Sequence, residues 1–125
     1  MNFQDVKKIG LGMPGVEEGT AYGSPALKLG GKLLACVAIN KSAEPNSLAV
    51  SVAFKDRSAL IEGDPDTYYV TDHYIEYPIV LARLSRIHAD ALKDVLSMAL
   101  RLVKSKANPR KKKRMPANNL QNRLR

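Results

Sequence analysis

Along this chain the apolar positions change period several times, and each change marks a predicted element. Phe3, Val6 and Ile9 recur at helical spacing behind Asn2, a residue suited to capping, so a short helix is expected to about Ile9. Gly10, Gly12, Pro14 and Gly15 are expected to end it. From Thr20 the pattern becomes strand-like. Leu27 and Leu29 alternate with Lys28, and Gly30-Gly31 can supply the positive φ angles of a tight hairpin turn before a strand over Lys32 to Ile39. That strand is apolar on both faces, as suits a central strand covered on each side. Asn40 to Asn46 reads as a polar loop. Leu48, Val50, Val52 and Phe54, alternating with Ala49, Ser51 and Ala53, then give the clearest period-two signal in the chain.

Asp56 is expected to cap a short helix around Arg57 to Glu62, stopped by Gly63, Asp64 and Pro65. A strand should follow at Thr67 to Val70, then a loop from Thr71 to Tyr77 closed by Pro78, and a last strand from Ile79 to Leu84. Beyond Ser85, Ala91, Leu92, Val95, Leu96, Ala99, Leu102 and Val103 form an amphipathic stripe about four turns long. This order is α+β. It predicts an antiparallel sheet of five to six strands packed against an N-terminal, a middle and a C-terminal helix. Residues 1–106 are expected to form one domain and residues 107–125 a basic, flexible tail lacking the apolar surface that offsets ordering entropy.

Composition adds exclusions. With 45% hydrophobic and 26% charged residues the chain has the make-up of a soluble protein, and no apolar run approaches the roughly 20 residues of a membrane helix. The opening MNFQDVKKIG breaks the apolar stretch a signal peptide requires, so export is not expected. A single cysteine, Cys36, agrees with a reducing compartment: cytoplasmic, nucleoid-associated, or nuclear in a eukaryote. Charge is split sharply. All twelve acids and eleven of the twenty lysines and arginines precede residue 104, leaving that body at −1, while nine cations and no acid follow, a charge of +9. The split suggests a polyanionic partner.

Several patterns resemble chemistry without its context. Gly10-Leu11-Gly12-Met13-Pro14-Gly15 spells a dinucleotide fingerprint, but here a helix precedes and a strand follows, the reverse of the required order. Asp64, Asp66 and Asp72 lack the central glycine of a calcium loop. Asp72, His73 and His88 are too few and too scattered to indicate a metal centre. Cys36 lies mid-strand among apolar residues, with nothing nearby to lower its pKa. Ser24 and Ser85 lack a nucleophile-elbow setting. No enzyme, metal or cofactor is therefore expected.

The basic residues carry more information. Arg110, Lys111, Lys112, Lys113 and Arg114 repel one another until an anion neutralises them, and five phosphate contacts would give a log K against log salt slope of about −4 to −5. In the body, Lys28 and Lys32 flank the Gly30-Gly31 turn, Lys41 lies in the next loop, and Arg83 and Arg86 bracket the end of the last strand. Their convergence on one face would mark a binding surface.

Met13-Pro14-Gly15-Val16-Glu17-Glu18, Tyr22-Gly23-Ser24-Pro25-Ala26, Gly30-Gly31-Lys32-Leu33-Leu34-Ala35 and Val70-Thr71-Asp72-His73-Tyr74, in that order, resemble the MmcQ/YjbR family of small bacterial proteins over roughly residues 1–103. The resemblance implies an antiparallel α+β fold, similar to secretion chaperones and frataxin-like folds, and DNA binding through a double wing. The wings map to the hairpin at Gly30-Gly31 and the loop between Ile39 and Leu48, with Lys28, Lys32 and Lys41 as contacts. Leu27 and Leu34 stand where aromatic residues are expected, and no Trp precedes the last strand. The expected function is non-enzymatic binding of DNA, or of RNA or another polyanion. A protein-interaction module is the alternative, and no membrane partner is expected.

Overall fold

The computed structural model describes residues 1–106; the expected flexible tail and the run from Arg110 to Arg114 lie outside them. Helix α1 (Phe3–Leu11) opens with a reciprocal cap, in which Asn2 Oδ1 accepts from the Asp5 N–H and Asp5 Oδ2 from the Asn2 N–H. Strands β1 (Val16–Ala21), β2 (Ser24–Leu29), β3 (Lys32–Val37) and β4 (Ser47–Ser51) follow, then α2 (Phe54–Gly63), β5 (Tyr68–Tyr69), β6 (Ile79–Arg83) and α3 (Ala89–Lys106). One antiparallel sheet results, ordered β1-β2-β3-β4-β6-β5. The α+β class and the three helices agree with the sequence pattern.

Local differences have physical reasons. α1 runs through Gly10 to Leu11, because the absent side chain lets the helix settle on β2: a Cβ at Gly10 would collide with Leu27 Cδ1. β1 starts at Val16 rather than near Thr20. As an edge strand with polar residues on both faces, it shows little apolar alternation. β4 ends at Ser51, and the expected strand residue Phe54 is instead the first residue of α2. The cap of α2 is Ala53, whose carbonyl accepts from the Arg57 N–H at 2.9 Å, while Asp56 lies in the first turn, where its charge suits the helix dipole.

The core lies on one face of the sheet. Leu27, Leu34, Leu48, Val50 and Val80 pack there against Val6 of α1 and Leu92, Val95, Leu96 and Ala99 of α3. The two faces of β3 do not alternate strictly. Ala35 pairs with Leu27 and Leu33 with Lys28, so Leu34 is an extra, bulged residue, and Leu34 and Ala35 both join the core. The opposite face carries a small cluster of Ala26, Cys36, Ala49 and Leu81, beside partly buried Leu33, Tyr69, Tyr74 and Ile79. The cover differs in kind between the two faces: the core cluster includes residues of α1 and α3, whereas loops supply the cover of the second cluster.

Candidate functional site

The sheet face that carries loops rather than helices forms, with them, a groove of about 650 Å3. Its floor includes Leu33, Cys36, Ala49 and Ile79, the inward positions of β3, β4 and β6. Tyr22, Ile39, Lys41, His73, Tyr74 and Tyr77 reach it from the surrounding loops. Tyr22 and Tyr77 remain 82% and 58% exposed, so their rings are presented to solvent rather than packed. His73 and Tyr74 meet edge to face at 4.8 Å. Burial is the main influence raising the Tyr74 hydroxyl's pKa, reinforced by Cys36, Tyr69 and Tyr22 and opposed by the Asn40 backbone.

Two tight hairpin turns shape the sheet's ends. Gly30 and Gly31 have φ of 57° and 82°, as a type I′ turn demands. The β1–β2 turn has the same form, with φ of 54° and 79°, but its first position is Tyr22. A bulky aromatic residue in this left-handed region is strained by roughly 1–3 kcal/mol.

Three polar anchors hold the loops around the groove. Arg57, on α2, donates from Nη1 to the carbonyls of Tyr77 (2.8 Å) and Ile79 (3.2 Å), and from Nη2 to that of Ile75 (3.0 Å), fixing the loop that carries Tyr77. The Tyr69 hydroxyl accepts from the Glu44 N–H at 2.8 Å and bonds Ser47 Oγ, while Ser42 Oγ meets Thr71 Oγ1 at 2.8 Å. Arg83 completes the set. It donates to both Glu44 oxygens and to the carbonyls of Pro65 (3.1 Å) and Asp66 (3.0 Å), with its guanidinium 4.3 Å from the Tyr69 ring centre.

Of the residues singled out in the sequence, Lys28 and Lys41 share the groove's face. Lys28 is the cross-strand neighbour of Leu33 on the floor, and Lys41 lines the groove. Lys32 pairs with Leu29, which packs against the core, and lines a second depression at the sheet's end together with Leu33, Tyr77, Ile79, Leu102 and Val103. Arg83 is engaged by Glu44, and Arg86 is exposed in the turn between β6 and α3. The two mapped wings leave β3 at opposite ends, roughly 17 Å apart at ~3.3 Å per residue. The loop from Asn40 to Asn46 is also pinned to the sheet by the anchors just described.

The chemistry-like patterns come apart. α1 precedes and β1 follows the Gly10 to Gly15 string. His73 lies in the loop before β6, whereas His88 directly precedes α3 and its carbonyl accepts from the Leu92 N–H. Among the described residues no three His, Cys, Asp or Glu side chains gather to hold a metal, and no helix is long and apolar enough to cross a membrane. Burial pushes the Cys36 thiol up, against a smaller lowering by the Ser24 hydroxyl. Arg57 and the aromatic groove were missed by sequence reasoning. Arg57 lies in a helix without a buried face, and the groove's tyrosines come from separate segments.

No protein-family model matches the chain, and no curated protein matches it. Among solved structures, the crystal structure of Deinococcus radiodurans protein DR2400, a DUF419 domain, is similar with a TM-score of 0.63. The match covers 99% of this chain and 95% of that one at 16% sequence identity, a likeness of fold.

Proposed function

We propose that this is a non-enzymatic nucleic-acid-binding protein, with DNA as the polymer, in which the groove on the helix-free sheet face meets the strand while Arg110 to Arg114 neutralise phosphates. The observation that carries this reading is the placement of Lys28 and Lys41 on one face, beside and within an aromatic groove. The +9 segment adds long-range attraction that the body, at −1, lacks. The resemblance to the MmcQ/YjbR family supports it, since the DUF419 neighbour falls in that fold group. Arg83 contributes by holding the β3–β4 loop, and through it Lys41, in place.

The test is a salt titration of binding to DNA, RNA and heparin. Replacing Arg110, Lys111, Lys112, Lys113 and Arg114 by glutamine should flatten the log–log slope by about 4–5. Lys28→Ala with Lys41→Ala should weaken DNA binding further and flatten the slope by roughly another 1–2. Equal, weak binding to all three polymers that vanishes with the glutamine variant and ignores Lys28 and Lys41 would show a polyanion-attracting segment only. A second reading, a protein-interaction module, is favoured by Ile39 and Tyr77, 60% and 58% exposed, at one largely apolar groove. Protein capture dependent on Ile39, without any DNA binding, would favour it.

A further inference from the structure

Tyr22 combines two features that ordinary packing does not explain. It holds a bulky ring at φ 54°, a region that asparagine or glycine occupies with less strain, and that ring is 82% exposed. Burial therefore does not offset the strain. The ring stands instead at a groove that also takes Tyr74 and Tyr77, three of the chain's five tyrosines, concentrating flat π surfaces at one site.

We infer that this groove receives an unpaired base of single-stranded nucleic acid, stacked on Tyr22 and Tyr77, with Lys41 meeting the adjoining phosphate. The inference rests on the nucleic-acid reading above and specifies which form of polymer the face takes. The groove, about 650 Å3, has room for a base with its sugar, and an unpaired base offers a free π face that a duplex, with its bases already stacked on each other, does not. Charge agrees with an anionic occupant: Lys41 lines the groove and no acid does, Asp72 and Glu76 being on the same loop but outside the lining. Stacking needs no sequence readout, because every base presents a π face. Arg57 is a positioning residue here, holding the carbonyls of Ile75 and Tyr77 so that the second ring faces the groove.

The experiment uses the full chain, whose lack of tryptophan leaves tyrosine as its intrinsic fluorophore. Titration with a mixed-sequence single-stranded DNA oligonucleotide should quench tyrosine emission and saturate, whereas the matching duplex should bind more weakly and quench less. Tyr22→Asn, which keeps the left-handed turn, and Tyr77→Leu, which keeps an apolar side chain, should each weaken single-strand binding about 5- to 150-fold with little change in salt slope. Tyr22→Asn should also unfold at a higher urea concentration than the parent, so a loss of binding cannot be misfolding. Unchanged affinity in both variants, or equal affinity for strand and duplex, overturns the base-stacking inference while leaving the nucleic-acid reading intact. Absence of binding to either form, even at low salt, overturns both. Saturable capture of an apolar peptide in the groove, with no response to oligonucleotide, would identify a protein partner instead and also overturn both.

Discussion

Arg83 grips Glu44 through both carboxylate oxygens, Nε to Oε1 at 2.9 Å and Nη2 to Oε2 at 2.7 Å, tying the end of β6 to the loop between β3 and β4. The fork also holds two carbonyls of the segment before β5, so one side chain fixes three stretches of chain.

This contact sets an acid response. Hydrogen bonding to Arg83 holds the Glu44 carboxyl below its ordinary value of 4.5, opposed by a lesser burial effect and aided, least of the three, by the Arg83 charge. The unfolded chain therefore takes up this proton first as pH falls. The pair's contribution is complete above the ordinary carboxylate value and is lost as pH drops through the lowered folded value. Thermal unfolding followed from neutral pH into that range should show Glu44→Gln losing less stability on acidification than the parent. Parallel pH profiles would sink the assignment. Arg83→Ala should destabilise at neutral pH by roughly 1–2 kcal/mol, through the lost hydrogen bonds and the Tyr69 stacking.

Gly10→Ala offers a test in which two effects oppose. Alanine favours a helix over glycine by about 1 kcal/mol. Here its methyl would strike buried Leu27, and overpacking costs about 1–3 kcal/mol, so the net expectation is a lower urea midpoint. A raised midpoint would mean that α1 does not press on β2 as described.

Cys36 should behave as a core thiol. It is 5% exposed, and burial pushes its pKa up, so little thiolate is present at neutral pH. A thiol reagent should label the native chain at least about 100-fold more slowly than the urea-unfolded chain. Rapid, stoichiometric labelling of native protein would contradict this and reopen Cys36 as a reactive group at the groove floor.

Much of the fold was legible in local pattern, and its failures share a cause. The Asn2 cap, the Gly30-Gly31 turn and the apolar stripe of α3 depend on spacing within a few residues, which sequence displays directly. β1 was obscured because an edge strand needs little apolar alternation. α2 was misplaced at its start because no fully buried residue gives it a periodic face. The bulge at Leu34 was invisible because Leu33, Leu34 and Ala35 are all apolar, and only pairing with β2 decides which two share a face.

The amino-acid sequence by itself determined the class of fold, the order of its elements and the separation of a −1 body from a +9 segment, because propensity, period and charge are properties of neighbours along the chain. The tertiary structure alone decided that Lys28 and Lys41 share a face while Lys32 does not, that Arg83 is held by Glu44, and that Tyr22, Tyr74 and Tyr77 meet at one groove. Those outcomes depend on which strands pair, on one extra residue in β3, and on one sheet face having no helix over it. Such long-range pairings bring together residues tens of positions apart, and no local pattern records them.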